Sequence, residues 1–128
     1  MKSVVICGSR RFKSEVAKFG SELARLGVVV YAPYHQSVQN EWEKLPDSYP
    51  TFVALGLTHD HFYKIRMADV VFVYNKGGYV GSSTTLEIGF AVALGKPIYA
   101  LSGDEELCRH SLFREIIDTP KKLLKRLH

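Results

Sequence analysis

Apolar positions along this chain fall into short continuous runs and stretches of helical spacing that alternate from end to end. Residues 3–9, SVVICGS, are a short β-branched run ending in glycine and serine, the pattern of a buried strand. Residues 14–26 place Val16, Phe19, Leu23 and Leu26 at helical spacing, with Gly27 as the stop. A second strand is predicted at residues 28–32, VVVYA, closed by Pro33. Residues 34–49 are polar and predict a loop with a short helix around Trp42. Residues 51–67 predict a helix broken at Gly56 and Leu57 and restarted with Thr58 as its cap. DVVFVYN, residues 69–75, is continuously hydrophobic and predicts a third strand buried on both faces. A glycine turn, an apolar helix and the strand PIYAL follow, residues 97–101. The weaker strand EIID, residues 115–118, precedes Thr119 as cap and Pro120 at the first helical position.

Strand and helix alternate throughout, so one domain over residues 1–128 is predicted. Its fold class is α/β, a doubly wound parallel sheet of about five strands between two helical layers. In such sheets ligands gather at the carboxyl ends of the strands, near the point where strand order reverses. That edge receives Gly8, Ser9, Arg10 and Arg11 after the first strand, and Asn75 with turn residues 77–84 after the third. First turns of the following helices lie there too, including Glu87 and, given a restart at Thr58, the THDH of residues 58–61. Asp69 begins a strand, falls on the opposite edge and is set aside as a catalytic group.

Composition narrows the classes. At 128 residues, 46% hydrophobic and 23% charged, the chain can bury a core of ordinary globular type. Its apolar runs are too short to span a membrane, and the apolar stretch of MKSVVICGSRRF is too short for a signal peptide. Cys7 and Cys108 fit neither a disulfide framework nor a CxxC motif, and a cytoplasmic location is expected. The net charge of +4 comes largely from the tail KKLLKRLH, which reads as the solvated face of an amphipathic helix. No nucleic-acid polymer is therefore expected as a partner. The pair Arg10 and Arg11 is better placed for a small anion.

The candidate chemistry centres on residues 77–97, GGYVGSSTTLEIGFAVALGKP. From Leu86 to Gly95 every residue except Glu87 is apolar or glycine. One reading makes Thr84 and Glu87 a capping box, with the carboxylate favoured by the helix dipole. The other is functional. Glu87 shares a stripe with Phe90, Ala91 and Leu94, and a helix without a polar face is buried on several sides. A carboxylate there is costly unless paired or used. Backbone N–H groups of residues 81–84 suit an anion, and Ser9 and Arg11 could hold the same one. A nearby carboxylate would then face the sugar of a bound nucleotide and could attack its anomeric carbon. Asp60 or His61 could supply a second polar group, the plainer reading of that stretch being an exposed first helical turn. A His59-x-His61 metal site is disfavoured, because those side chains diverge on a helix and no third ligand stands at useful spacing. Neither a metal nor an organic cofactor is expected.

ICGSRRF after the first strand, HFYKIRMADVVFVYN, and GGYVGSSTTLEIGFAVALGKPIYAL together resemble the nucleoside 2-deoxyribosyltransferase-like superfamily. The loop Cys7-Gly8-Ser9 with Arg11 is similar to its 2'-deoxynucleoside 5'-phosphate N-hydrolase branch. The resemblance implies a flavodoxin-like sheet, a homodimer, a small nucleoside or nucleotide substrate, and cleavage or transfer at the N-glycosidic bond. It puts Glu87 on the nucleophile position, Gly8, Ser9 and Arg11 on the phosphate loop, and Gly81, Ser82 and Ser83 in the turn of sugar or phosphate contacts. Asp60 or His61 falls near the family's sugar-binding aspartate. The chain departs from the pattern at Val5, where a tyrosine is common, and at Gly81, often Asp or Ser. GSRR and the turn before Glu87 are also similar to lysine-decarboxylase-like phosphoribohydrolases and related nucleotide sensors, although the PGG of their motif is absent. Three expectations result: a glycosidic enzyme, a nucleotide-binding protein without turnover, and a structural dimer in which Glu87 only caps.

Overall fold

The computed structural model describes residues 1–33, 46 and 48–128. Five strands form one all-parallel sheet in the order β2-β1-β3-β4-β5. They are β1 (Val4–Gly8), β2 (Val30–Tyr31), β3 (Val70–Tyr74), β4 (Ile98–Ala100) and β5 (Glu115–Ile116). Strand order reverses between β1 and β3, the flavodoxin-like arrangement. Helices α1 (Lys13–Arg25) and α5 (Pro120–Leu124) pack on one face. Helices α2 (Ser48–Met67) and α3 (Ser82–Ala93) pack on the other, and a short α4 (Leu107–His110) follows β4. No helix among the described residues is long and apolar enough to cross a membrane.

The two central strands explain the layering. Their side chains alternate between faces, and β1 pairs with β3 in register, Val4 with Val70 through Gly8 with Tyr74. Val4, Ile6, Val70 and Phe72 therefore enter one core with Phe19, Leu23 and Leu123. Val5, Cys7, Val71 and Val73 enter the other with Ile65, Ile88 and Ala91. Phe19 and Phe72 stack with ring centres 4.5 Å apart. The same alternation turns Cys7 toward α2 and α3, which matters for the site.

Two expectations need correction. The edge strand β2 covers only Val30 and Tyr31, because it pairs with β1 alone and Val29 points into solvent. Helix α2 is continuous, with no restart at Thr58. The Thr58 hydroxyl donates to the Ala54 carbonyl at 2.7 Å, the back-bond of an interior helical threonine, and so is not free to cap. The short helix expected around Trp42 lies outside the described residues. The cap at Thr119 forms as expected, its side chain accepting from Lys122 N–H at 3.2 Å with Pro120 opening the helix.

Loops at the carboxyl edge are tied together. Asn75, fully buried, donates to the Ser102 carbonyl at 2.8 Å and accepts from Ser102 N–H at 2.9 Å. Gly78 adopts φ +84°, and a Cβ there would lie 3.1 Å from the Gly103 carbonyl oxygen. Asp104 accepts from Arg109 Nε at 2.7 Å and Nη2 at 3.1 Å, and from Glu106 N–H at 2.8 Å. The Arg109 guanidinium holds the Asp104 carboxyl below its ordinary range. A lowered folded-state pKa means stability that is present above the unfolded value, near 3.9, and lost as pH falls through the folded value. Asp104→Asn should therefore cost about 1–3 kcal/mol near neutral pH. That deficit should shrink in acid, as read by urea melts on both proteins across the acid range.

Candidate active site

A cavity of about 480 Å³ opens at the carboxyl edge of the sheet. One wall comes from the end of β1 and the loop after it, with Gly8, Ser9 and Arg10. Gly81, Ser82, Ser83, Thr84 and Glu87 of the α3 entrance form a second wall. The third is a stripe of α2, Ala54, Leu57, Thr58 and His61, whose spacing puts them on one helical face.

Helix α3 starts at Ser82, with Gly81 as an extended N-cap that makes no side-chain cap. Thr84 is then the third helical residue and buried, and Glu87 sits in the second turn. The capping-box reading is thereby corrected: a threonine inside the helix cannot serve as its cap. First-turn amides of a helix have no intrahelical acceptor, so those of Ser82, Ser83 and Thr84 border the cavity as donors. One other expectation changes. Helix α3 is buried on its sheet side, while Leu86 and Val92 on its outer face are exposed in the single chain.

Glu87 reaches inward to a buried pair. Its Oε2 lies 3.2 Å from His61 Nε2, with side chains 15% and 6% exposed. His61 Nε2 also sits 3.3 Å from Cys7 Sγ, in hydrogen-bond geometry. The glutamate contact is close in distance but out of hydrogen-bond alignment. Glu87 Oε2 and His61 Nδ1 are both buried without a hydrogen-bond partner among the described residues. Burial pushes the Cys7 thiol well up, and the neighbouring Glu87 carboxylate pushes it further. Cys7 is thus a protonated thiol near neutral pH, a donor rather than a nucleophile.

The sequence candidates separate clearly. Gly8, Ser9, His61, Gly81, Ser82, Ser83 and Glu87 line one cavity. Ser9 also accepts from Arg11 N–H at 3.2 Å and so caps the 3-10 turn Arg10–Phe12. Arg11 itself turns away and lies over the Tyr79 ring, 3.7 Å from its centre. Neighbouring side chains of a 3-10 turn diverge by about 120°, which sends Arg10 to the cavity instead. Asp60 points off the cavity stripe and pairs with Lys64 at 2.8 Å. Asn75 is engaged by Ser102 and outside the lining. Cys7 carries no motif in the sequence, and only strand alternation from the buried Val5 turns it toward α3. The stripe Ala54, Leu57 and Thr58 is legible in the sequence only as i, i+3, i+4 and i+7 spacing with His61.

The sequence model of the nucleoside 2-deoxyribosyltransferase family matches residues 6–118. Among curated proteins, none matches the chain by sequence. Solved structures that share its fold include the following three. A 2-deoxyribosyltransferase from Bacillus psychrosaccharolyticus superposes with TM-score 0.63 at 18% identity, over 94% of this chain and 89% of the other. A conserved protein from Enterococcus faecalis V583 gives 0.58 at 17% identity, over 99% and 97%. The CMP N-glycosidase of Clostridium botulinum gives 0.51 at 20% identity, over 98% and 97%.

Proposed function

This chain belongs to the nucleoside 2-deoxyribosyltransferase family, and from that premise we propose that it cleaves or transfers at the N-glycosidic bond of a deoxynucleoside or a nucleoside 5'-monophosphate, with Glu87 as nucleophile. The observation that carries this reading is that Glu87, its side chain 15% exposed, lines one cavity together with the first turn of α3 and the end of β1. Its Oε2 faces His61, and the rest of the carboxylate is open to a carbon electrophile seated in the cavity. The cavity volume falls within the range of about 300–1,000 Å³ usual for small-ligand sites.

In the proposed reaction a Glu87 oxygen bonds to C1' of the sugar, and the base departs with the electron pair of the glycosidic bond and takes a proton from solvent. Water, or a second base, then attacks C1', gives up a proton to solvent, and releases Glu87 as carboxylate. Water yields the free sugar, and a second base yields a new nucleoside. His61 is the positioning group in this scheme, since its Nε2 lies 3.2 Å from the carboxylate while Asp60 is held by Lys64. The amides of α3, Ser9 and Arg10 supply donors and charge for a phosphate. Incubation with each deoxynucleoside and 5'-monophosphate, followed by chromatography, should reveal free base with wild type and none with Glu87→Gln. Tight binding with no base from any of them would instead mark a nucleotide-binding protein without turnover.

We further propose that the protein is a homodimer joined through the α2 and α3 side. Phe52, Leu55, Tyr63 and Met67 form one exposed apolar stripe on α2, and Leu86 and Val92 extend apolar surface on its neighbour α3. Exposed apolar side chains grouped on two neighbouring helices are what an association site requires. Leu86→Asp should yield a monomer by light scattering on a sizing column; an unchanged mass would remove α3 from the interface.

A further inference from the structure

We propose that Cys7, His61 and Glu87 together bind one thiophilic divalent cation of the zinc type, and that its occupancy switches off the glycosidic chemistry. The switch half rests on the function proposed above; the binding half stands alone.

Three separate elements, β1, α2 and α3, each contribute one ligand atom. Cys7 Sγ, His61 Nε2 and a Glu87 oxygen all lie within 4.8 Å of one another. In tetrahedral zinc sites, bond lengths near 2.3 Å to sulfur and about 2.0–2.2 Å to nitrogen or oxygen set neighbouring ligand atoms about 3.3–3.6 Å apart. Here Sγ to Nε2 is 3.3 Å and Nε2 to Oε2 is 3.2 Å. Two of the three ligand pairs are thus within a few tenths of an ångström of that spacing before any cation arrives. The second sign of a site is that Glu87 Oε2 is buried with no hydrogen-bond partner among the described residues.

The donor set selects the ion. Sulfur with imidazole nitrogen disfavours magnesium and calcium, which take oxygen ligands, and suits zinc and cations like it. Three protein ligands leave a fourth position, and it faces the cavity, because His61 and Glu87 line it while Cys7 lies behind them. The cavity is therefore also the route in. On binding, the cation replaces the thiol proton of Cys7, which leaves to solvent, and no electron changes hands. Thiolate and carboxylate then balance the two positive charges, so the buried site is neutral. A Glu87 oxygen engaged in this way is unavailable to C1'.

The test uses the full chain, freed of metal by a chelator that is then removed, with Co²⁺ as the probe. One equivalent should produce a thiolate-to-cobalt charge-transfer band and tetrahedral visible bands, both displaced by Zn²⁺. Cys108→Ser should keep the charge-transfer band and Cys7→Ser should lose it. Glu87→Gln, which keeps the side chain's shape, should weaken binding at least about tenfold and serves as the check if Cys7→Ser does not fold. Zn²⁺ should abolish wild-type base release at matching concentrations, with recovery on adding chelator. No band at one equivalent, or a band lost in Cys108→Ser instead, overturns the site. A full band with undiminished base release overturns the switch alone. A metal-free protein that releases no base sinks the glycosidic reading and the switch with it, while the cobalt spectrum still decides the site.

Discussion

Replacing Glu87 by glutamine is expected to lower kcat for base release at least about 10³-fold, the scale of removing a covalent nucleophile. Glutamine preserves shape and volume, so substrate should still bind and KM should change little. The companion expectation concerns stability. Oε2 has no hydrogen-bond partner among the described residues, and the Glu87 charge opposes ionisation of buried Cys7. Neutralising it removes a carboxylate charge that is not hydrogen-bonded at Oε2 from a partly buried site, so thermal stability should hold or rise. A capping glutamate would behave oppositely, with alanine costing about 0.5–2 kcal/mol. Thr84 inside α3 already argues against that role. Glu87→Gln with full activity, or with a clearly lower Tm, would refute the nucleophile assignment.

Arg10→Ala should reduce kcat/KM for a 5'-monophosphate by about 10–100-fold and leave the matching deoxynucleoside nearly unaffected. The magnitude follows from one charge-assisted hydrogen bond, about 1.5–3 kcal/mol. Arg11→Ala should lower both substrates alike by about two- to fivefold, the worth of an exposed stack on an aromatic ring such as that of Tyr79. The pair is informative because sequence reasoning favoured Arg11, while the cavity is lined by Arg10. Steady-state kinetics on both substrates separate them. Equal losses for nucleoside and monophosphate in Arg10→Ala would mean that the β1 loop does not read phosphate.

Much of the architecture was readable because strands buried on both faces and helices with one apolar stripe leave distinct patterns. The runs that became β1 and β3 are five residues long and rich in β-branched residues, which favours strands, and the alternation around them implies a parallel sheet. The placement of Glu87, Ser9 and the α3 turn on one edge followed from that topology. What escaped was decided by angles within single turns. Arg10 and Arg11 are equivalent by composition and differ only in the direction a 3-10 turn gives each. Asp60 and His61 are likewise neighbours about 100° apart on a helix, and continuity of α2 through Gly56 fixed which one faces inward. Cys7 looked like an ordinary strand residue because its significance depends on two distant helices.

Helix α2 divides its labour along its length. Ahead of His61 none of its described side chains is buried, whereas Ile65 and the following Ala68 are locked into the sheet. Exposed positions tolerate exchange within about 0.5 kcal/mol, so Ala54, Leu57 and Thr58 can be altered while the anchor below stays put. This stretch of the cavity wall can thus be recut, in shape or polarity, without unravelling the scaffold that carries it.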